Sequence, residues 1–265
     1  MATYLDRILA SHRAAANNEE RHFEDLRDQA LAMPPTRGFR RRLASSEGLA
    51  VIAEIKRRSP SKGDLNPKLD PAQVAQEYAT GGATALSVLT DEEFFGGSVA
   101  DLAAAHAATT LPVLRKDFTV STFDVCDARV MGADAVLLIA AALDDHELRD
   151  FMALANEIGL DALVEIHDEA ELDRALAANA TLVGVNQRDL VTFQVDTERA
   201  VRMAPLIPSD VVRVAESGVK GVVDATLLAE AGYDAVLVGE TLVTATNHSA
   251  GVAALRQIPA RAFAG

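Results

Sequence analysis

The sequence predicts an α/β fold: a single (β/α)8 barrel of the TIM-barrel class, residues 1–265, with residues 1–50 as a helical extension. Three observations predict it. Eight apolar, strand-like runs can be marked, starting near Val51, Ala83, Leu111, Ala133, Asp161, Thr181, Val211 and Tyr233. They recur every roughly 20–32 residues, which is what a strand, a helix and two short loops require. Four strands are introduced alike, after Gly82, Gly132, Gly159 and Gly232, and each glycine suits the left-handed position that ends a helix. Strands alternating with helices imply a parallel sheet with right-handed crossovers, and eight such units most often close into a barrel. An open doubly wound sheet is the alternative, but no Gly-x-Gly-x-x-Gly turn follows the first strand.

The elements follow in order. Tyr4 to Met33 reads as helical, with Leu5, Ile8, Leu9, Phe23, Leu26 and Leu31 as an intermittent apolar face, and Pro34-Pro35 stops it. Arg37 and Arg40 to Arg42 read as a solvated basic face. No flexible linker separates this extension from the repeat, so it is expected to pack on the barrel. The first strand, from Val51, is apolar and β-branched. Asp70-Pro71 is an N-cap followed by proline at the first helical position, and Ser98 and Ser121 can cap the next two helices. Residues 144–158 carry Leu148, Phe151, Met152, Leu154, Ala155 and Ile158 at helical spacing.

Composition narrows the function. Thirty-nine acidic against 25 basic residues give a net charge of −14, which disfavours nucleic acid and anionic membranes as partners. The lone Cys126 excludes an intramolecular disulfide and a cysteine zinc site, and reads as a small core residue in a reducing compartment. No apolar run reaches the roughly 18 residues of a membrane helix. With Asp6, Glu19 and Glu20 the N-terminus resembles neither a signal sequence nor a transit peptide, so a cytoplasmic location is expected. His106, His146, His167 and His248 have no metal-ligand spacing, no metal site is expected, and His167 is expected to face away from the barrel interior.

Chemistry in such a barrel sits at the C-terminal ends of the strands. Seven of the eight strands end in polar residues: Glu54 and Lys56, Thr90-Asp91, Arg115-Lys116-Asp117, Glu165, Asn186 to Arg188, Glu216-Ser217-Gly218, and Gly239-Glu240. Glu54 and Lys56 share one face of the first strand, because side chains alternate with period two. A structural ion pair is the plain reading of those two alone, but the other strand ends make a constellation. Lys56, Arg57, Arg58, Lys62, Arg115, Lys116 and Arg188 form an island of positive charge in an acidic chain, which implies a small anionic substrate. Ser217-Gly218 and Gly239-Glu240 each precede a helix and fit a phosphate pocket of backbone N–H groups. Phe95, Phe118 and Leu137 could form an apolar wall for a ring.

Val51 to Lys56 with Ser59 to Gly63, Leu114 to Phe118, Val164-Glu165, Gly184 to Asn186 with Arg188 to Leu190, Ala215 to Gly218 and Val238 to Glu240 resemble indole-3-glycerol phosphate synthases, in the family's order. The N-terminal extension looks like that family's extra helices. The resemblance implies the barrel fold, no metal or organic cofactor, and a step of tryptophan biosynthesis. In that step 1-(2-carboxyphenylamino)-1-deoxyribulose 5-phosphate closes its ring, losing CO2 and water. By resemblance Lys116 protonates the carbonyl oxygen that the ring carbon attacks, and Lys56 holds the anthranilate carboxylate. Glu165 moves the proton in the later loss of water, while Glu54 and Asn186 position hydroxyl groups. The division of steps between Lys56 and Lys116 is left open. Ser59, Gly218, Gly239 and Glu240 would bind phosphate, beside Pro60. Ser217, Glu216 and Arg188 would support the sugar chain, and Phe95, Phe118, Leu137 and Leu190 would enclose the ring. Gln187 and the pair Thr241 and Val243 depart from the residues usual in the family. Two rivals are a phosphoribosylanthranilate isomerase, which needs a Cys at the end of the first strand and an Asp near the end of the sixth, and a non-catalytic phosphate-metabolite barrel. The protein is expected to be a monomer or a weak homo-oligomer.

Overall fold

The computed structural model describes residues 3–60, 62–189 and 191–259. Eight parallel strands close into a barrel: β1 (Ala50–Ile55), β2 (Ala85–Leu89), β3 (Val113–Lys116), β4 (Ala135–Ile139), β5 (Asp161–Ile166), β6 (Leu182–Asn186), β7 (Val212–Glu216) and β8 (Ala235–Val238). Each pairs with its neighbours in sequence and β8 returns to β1, with Ile52 opposite Leu237 on one side and Ala85 on the other. The first residues lie within two positions of the starts read from the sequence, and the barrel closes as expected. Gly82, Gly132, Gly159 and Gly232 all have positive φ.

Alternation builds two apolar layers. Ala50 and Ile52 of β1, Leu114 of β3, Leu163 of β5, Leu182 of β6, Val212 and Val214 of β7 and Leu237 of β8 fill the interior. The intervening residues Val51, Ala53 and Ile55 face the surrounding helices. Around the barrel run α4 (Pro71–Thr80), α5 (Val99–Ala108), α6 (Thr122–Val130), α7 (Asp145–Glu157), α8 (Glu169–Ala177), α9 (Arg199–Met203), α10 (Val222–Ala231), a short α11 (Glu240–Val243) and α12 (His248–Arg256). Asp70 caps α4 through the N–H groups of Ala72 and Gln73, with Pro71 at its start, and Ser98 and Ser121 cap α5 and α6. Cys126 is buried in α6, and burial pushes its thiol up to about 11.

The extension differs from the sequence reading. In place of one helix from Tyr4 to Met33 there are α1 (Tyr4–Asn17) and α2 (Phe23–Ala32), followed by α3 (Phe39–Ala44). The break falls at the polar Asn17 to Glu20, where no apolar side chain calls for burial. There Asn18 caps α1, and the Glu19 carboxylate accepts from both the backbone N–H and the guanidinium of Arg21, which bends the chain. In the basic run Arg41 and Arg42 are exposed as expected, and Arg37 is the second correction. Arg37 lies against the N-terminal end of the barrel, its N–H donating to Asp134 Oδ1 at 2.6 Å and its guanidinium to the Leu111 carbonyl at 2.7 Å. Arg40 N–H reaches Asp161 at 2.9 Å. These bonds seat α3 so that Phe39 and Leu43, both fully buried, close the bottom of the interior.

At the opposite end α1 lies over the mouth. Leu5 and Ile8 join the interior layer, and the Tyr4 ring meets Phe94 and Phe193 edge-on at 5.8 and 5.3 Å. His12 Nε2 sits 3.0 Å from Asp91 and 3.8 Å from Asp117. Burial works against the imidazolium, but Asp91 and Asp117 outweigh it and raise the His12 pKa above 6.5. Burial raises the Asp91 carboxyl, yet His12 and the N–H groups of Phe94 and Phe95 hold it below 3.8. The stability from His12 is therefore full below pH 6.5 and lost as pH rises through its folded pKa, and that from Asp91 is lost in acid as pH falls through its own. We expect His12→Asn to lower stability by about 1 kcal/mol near neutral pH. Thermal melts of parent and variant should converge at alkaline pH, and an equal gap at all pH values would contradict the clasp.

Candidate active site

Period-two alternation brings the last inward residue of each strand to the rim of one cavity at the C-terminal end of the barrel. The cavity measures 740 Å³. It is lined by Glu54 and Lys56 from β1, Lys116 from β3, Leu137 from β4, Glu165 from β5, Asn186 from β6 and Glu216 from β7. The loops add Ser59, Pro60, Phe95, Phe118, Arg188, Ser217, Gly218, Gly239 and Glu240. Every residue nominated from the sequence is among them except Leu190, which lies outside the described residues.

The polar groups form one connected floor. Glu54 and Lys56 are in direct ionic contact. Lys116 Nζ lies 3.5 Å from Glu165 Oε2, and Asn186 Nδ2 donates to Glu165 Oε1 at 3.0 Å. Glu216 reaches this group because β6 carries Gly184, where any Cβ would collide with the Glu216 carboxylate. Burial disfavours the Lys116 ammonium, but Glu165, Glu216 and Glu54 outweigh it and hold its pKa above the ordinary lysine value. Burial likewise raises Glu165, yet Lys116, His167 and the Asn186 bond bring it below the usual carboxylate range. Glu216 goes the other way: burial and the neighbouring Glu165 and Glu54 push it well above 4.5 despite Lys116. Two carboxyl groups in one cavity are thus driven apart, one toward the ionised form and one toward the protonated form.

The far side of the cavity is lined by backbone. Ser217 and Gly218 have φ of +65° and +77°, and among the described residues the N–H groups of Gly218, Val219, Gly239 and Glu240 find no acceptor. Ser59 Oγ is buried beside them and also makes no hydrogen bond among the described residues. Gly239 has no room for a side chain, since a Cβ would run into the Glu54 carboxylate and lie 3.1 Å from Lys56 Nζ.

The island of positive charge needs correction. Lys56, Lys62, Lys116 and Arg188 line the cavity, but Arg57, Arg58 and Arg115 do not. Arg57 is bound to Asp101 and the Leu69 carbonyl, and Arg58 to the carbonyls of Glu92 and Glu93. Arg115 occupies the outward position of β3, where it holds Asp117 and the Asp124 carbonyl. His167 does not line the cavity, as expected, but it is close behind it. Its Nδ1 is drawn to Glu171 at 3.1 Å while Nε2 stays 3.8 Å from Glu165.

The sequence reading missed Leu89, Ile139 and Leu237, which complete the apolar wall from β2, β4 and β8. Counting inward positions along each strand would have found them. It also missed Phe193, Val195, Thr197 and Lys220, which come from irregular loops that carry no periodic signal. His12, Asp91 and Asp117 place their ligating atoms within 4.8 Å of one another, a grouping that could hold a metal ion. Their lone pairs are already engaged: Asp91 Oδ1 accepts from Phe94 and Phe95 N–H, Oδ2 meets His12, and Asp117 holds Thr90, Arg115 and Phe118 N–H. The grouping is an ion-pair knot that fastens α1.

Among solved structures, the thiamine phosphate pyrophosphorylase of Pyrococcus furiosus superposes with a TM-score of 0.60 at 16% identity, covering 80% of this chain and 95% of that one. That likeness shows the fold alone. Sequence similarity goes further. A protein of a Nocardioides species named indole-3-glycerol phosphate synthase is 51% identical over 241 residues, 90% of this chain and 92% of the relative. The protein of that name from Mycolicibacterium smegmatis is 48% identical over 256 residues, 96% and 94% of the two chains. The profile of the family described as indole-3-glycerol phosphate synthase matches residues 5–255, and the chain belongs to that family.

Proposed function

We propose that this cavity converts 1-(2-carboxyphenylamino)-1-deoxyribulose 5-phosphate into indole-3-glycerol phosphate, with CO2 and water as the other products. The observation that carries the residue roles is the floor on which Lys116, Glu165 and Glu216 sit together with opposed proton affinities. Such a separation is what a reaction with both an acid step and a base step needs.

In the proposed sequence Lys56 holds the anthranilate carboxylate over the floor, itself oriented by Glu54. The ring carbon bearing that carboxylate attacks the ketone, a C–C bond forms, and the electron pair of the C=O bond moves to oxygen. Lys116 donates a proton there; its raised pKa keeps it charged throughout the neutral range, so it also stabilises the developing oxyanion. Loss of CO2 returns the ring electrons. Glu165, kept ionised, then removes a proton from the methylene carbon beside the nitrogen, that C–H electron pair forms the ring double bond, and the neighbouring hydroxyl leaves as water once protonated. Glu216, which holds its proton to higher pH, is well matched to supply that second proton, a role that goes beyond supporting the sugar. Phe95, Phe118 and Leu137 enclose the ring, with Leu190 proposed on the family pattern. The phosphate sits against Ser59 and the N–H groups of Gly218, Gly239 and Glu240.

The isomerase reading does not fit, since Cys126 is buried in α6 and β6 ends in Asn186. No described helix is long and apolar enough to cross a membrane. We propose that extension and barrel work as one domain, in the cytoplasm, as a monomer or weak homo-oligomer, and that the net charge of −14 keeps nucleic acid away.

Mass spectrometry of the product tests the reaction, which should leave a species lighter than substrate by one CO2 and one water. An isomer of unchanged mass would refute it. Gly239→Ala tests the phosphate side. Its methyl group must displace the Glu54–Lys56 pair, so KM should rise by about tenfold or more. An unchanged KM in steady-state kinetics would move the phosphate elsewhere.

A further inference from the structure

Gln187 and Thr241 both hold the same loop with their side chains. Gln187 follows β6 and is 2% exposed. Its own backbone is fixed on both sides, N–H to the Glu216 carbonyl at 3.0 Å and carbonyl to Asp196 N–H at 2.8 Å. From that anchored position Nε2 donates to the Ser217 carbonyl at 2.8 Å. Thr241, at the start of α11, donates from Oγ1 to the Val219 carbonyl at 2.7 Å. The two side chains therefore grip the carbonyls on either side of Gly218.

Peptide planarity turns these grips into aim. In a trans peptide the C=O of one residue and the N–H of the next point in opposite directions. Drawing the Ser217 carbonyl toward Gln187 fixes the Gly218 N–H on the opposite side of that peptide, and this N–H finds no acceptor among the described residues. Drawing the Val219 carbonyl toward Thr241 fixes the next N–H, that of Lys220, which is received by Asp224 at 2.8 Å. The peptide between the two is held from both ends. Such clamping is needed, because Ser217 at φ +65° adopts a conformation disfavoured for any residue with a Cβ. At Gly218 itself a Cβ would stand 2.7 Å from Val195 Cγ1, so the loop has no slack to relax into.

We propose that Gln187 and Thr241 are positioning residues that hold the Ser217–Val219 backbone in the geometry that receives the substrate phosphate. They act on binding through the loop, without touching the phosphate, and the inference rests on the phosphate assignment made above. Loss of either grip should weaken affinity for any phosphate-bearing ligand while leaving the proton-transfer floor alone.

The test uses the intact enzyme with inorganic phosphate as a competitive inhibitor. Gln187→Met keeps length and burial but removes the donor. It should raise both substrate KM and phosphate Ki about five- to tenfold, with kcat within about twofold of the parent. Thr241→Val should shift both constants in the same direction, and Thr241→Ser, which keeps the hydroxyl, should restore them. Gly239→Ala is the control for the pocket itself. If Gly239→Ala raises phosphate Ki while Gln187→Met and Thr241→Val only lower the melting temperature, the two residues serve the fold and the proposal falls. If phosphate Ki moves in none of the variants, the phosphate assignment is wrong and the proposal falls with it.

Discussion

Replacing Lys116 with Met should lower kcat by about a thousandfold, since a positioned general acid contributes roughly 10²–10⁴ and oxyanion stabilisation adds to it. Lys116 comes from the last inward position of β3 and lies 3.5 Å from Glu165. Met retains most of the stem's packing and removes only the charge. The fold should survive, because Glu165 can take up a proton once the ammonium is gone, while Glu216 already favours its protonated form. That adjustment has a sign. In the parent, Glu165 has a folded pKa below its ordinary value, so its stabilisation is present above pH 4.5 and is lost as pH falls through the folded pKa. Without Lys116 its folded pKa must rise, and the variant should gain stability toward acid relative to the parent. Indole fluorescence gives kcat, and melts between pH 4 and 8 give stability. Turnover within tenfold of the parent would remove Lys116 from the acid role.

Glu165→Gln should produce the second-largest loss, about a hundredfold or more in kcat, concentrated in the steps after ring closure. The substitution removes the base and also changes its neighbour. Burial is the largest influence on Glu216, followed by Glu165, so with Glu165 neutral the Glu216 pKa falls. If Glu216 must be protonated to supply the leaving hydroxyl, the alkaline limb of the pH–rate profile moves to lower pH. CO2 release measured separately from indole fluorescence should show decarboxylation outlasting product formation. Equal slowing of both signals with an unshifted limb would place Glu165 in support of the site alone.

The barrel and its polar rim were legible because both obey short periods. Glu54, Lys56, Lys116, Glu165, Asn186 and Glu216 share the inward parity of their strands, so alternation alone brings them to one cavity. Parity also explains the failure at Arg115, counted with the positive island although it stands one residue before Lys116 and so faces outward. Arg57 escaped for another reason: it sits past the end of β1, where pairing with Asp101 is a tertiary fact. The break at Asn18 was hidden by helix-compatible residues on both sides. His12 was invisible because its partners Asp91 and Asp117 are 79 or more positions away, and no local pattern announces an ion pair across that distance.

The most direct test of the central claim is a fluorescence time course of the purified protein with 1-(2-carboxyphenylamino)-1-deoxyribulose 5-phosphate in the presence of EDTA. Indole emission should rise with multiple turnovers per protein molecule, and the Lys116→Met trace should stay near baseline under the same conditions. A flat trace from the parent with substrate demonstrably bound would contradict the account, leaving a barrel that holds the phosphorylated metabolite without transforming it.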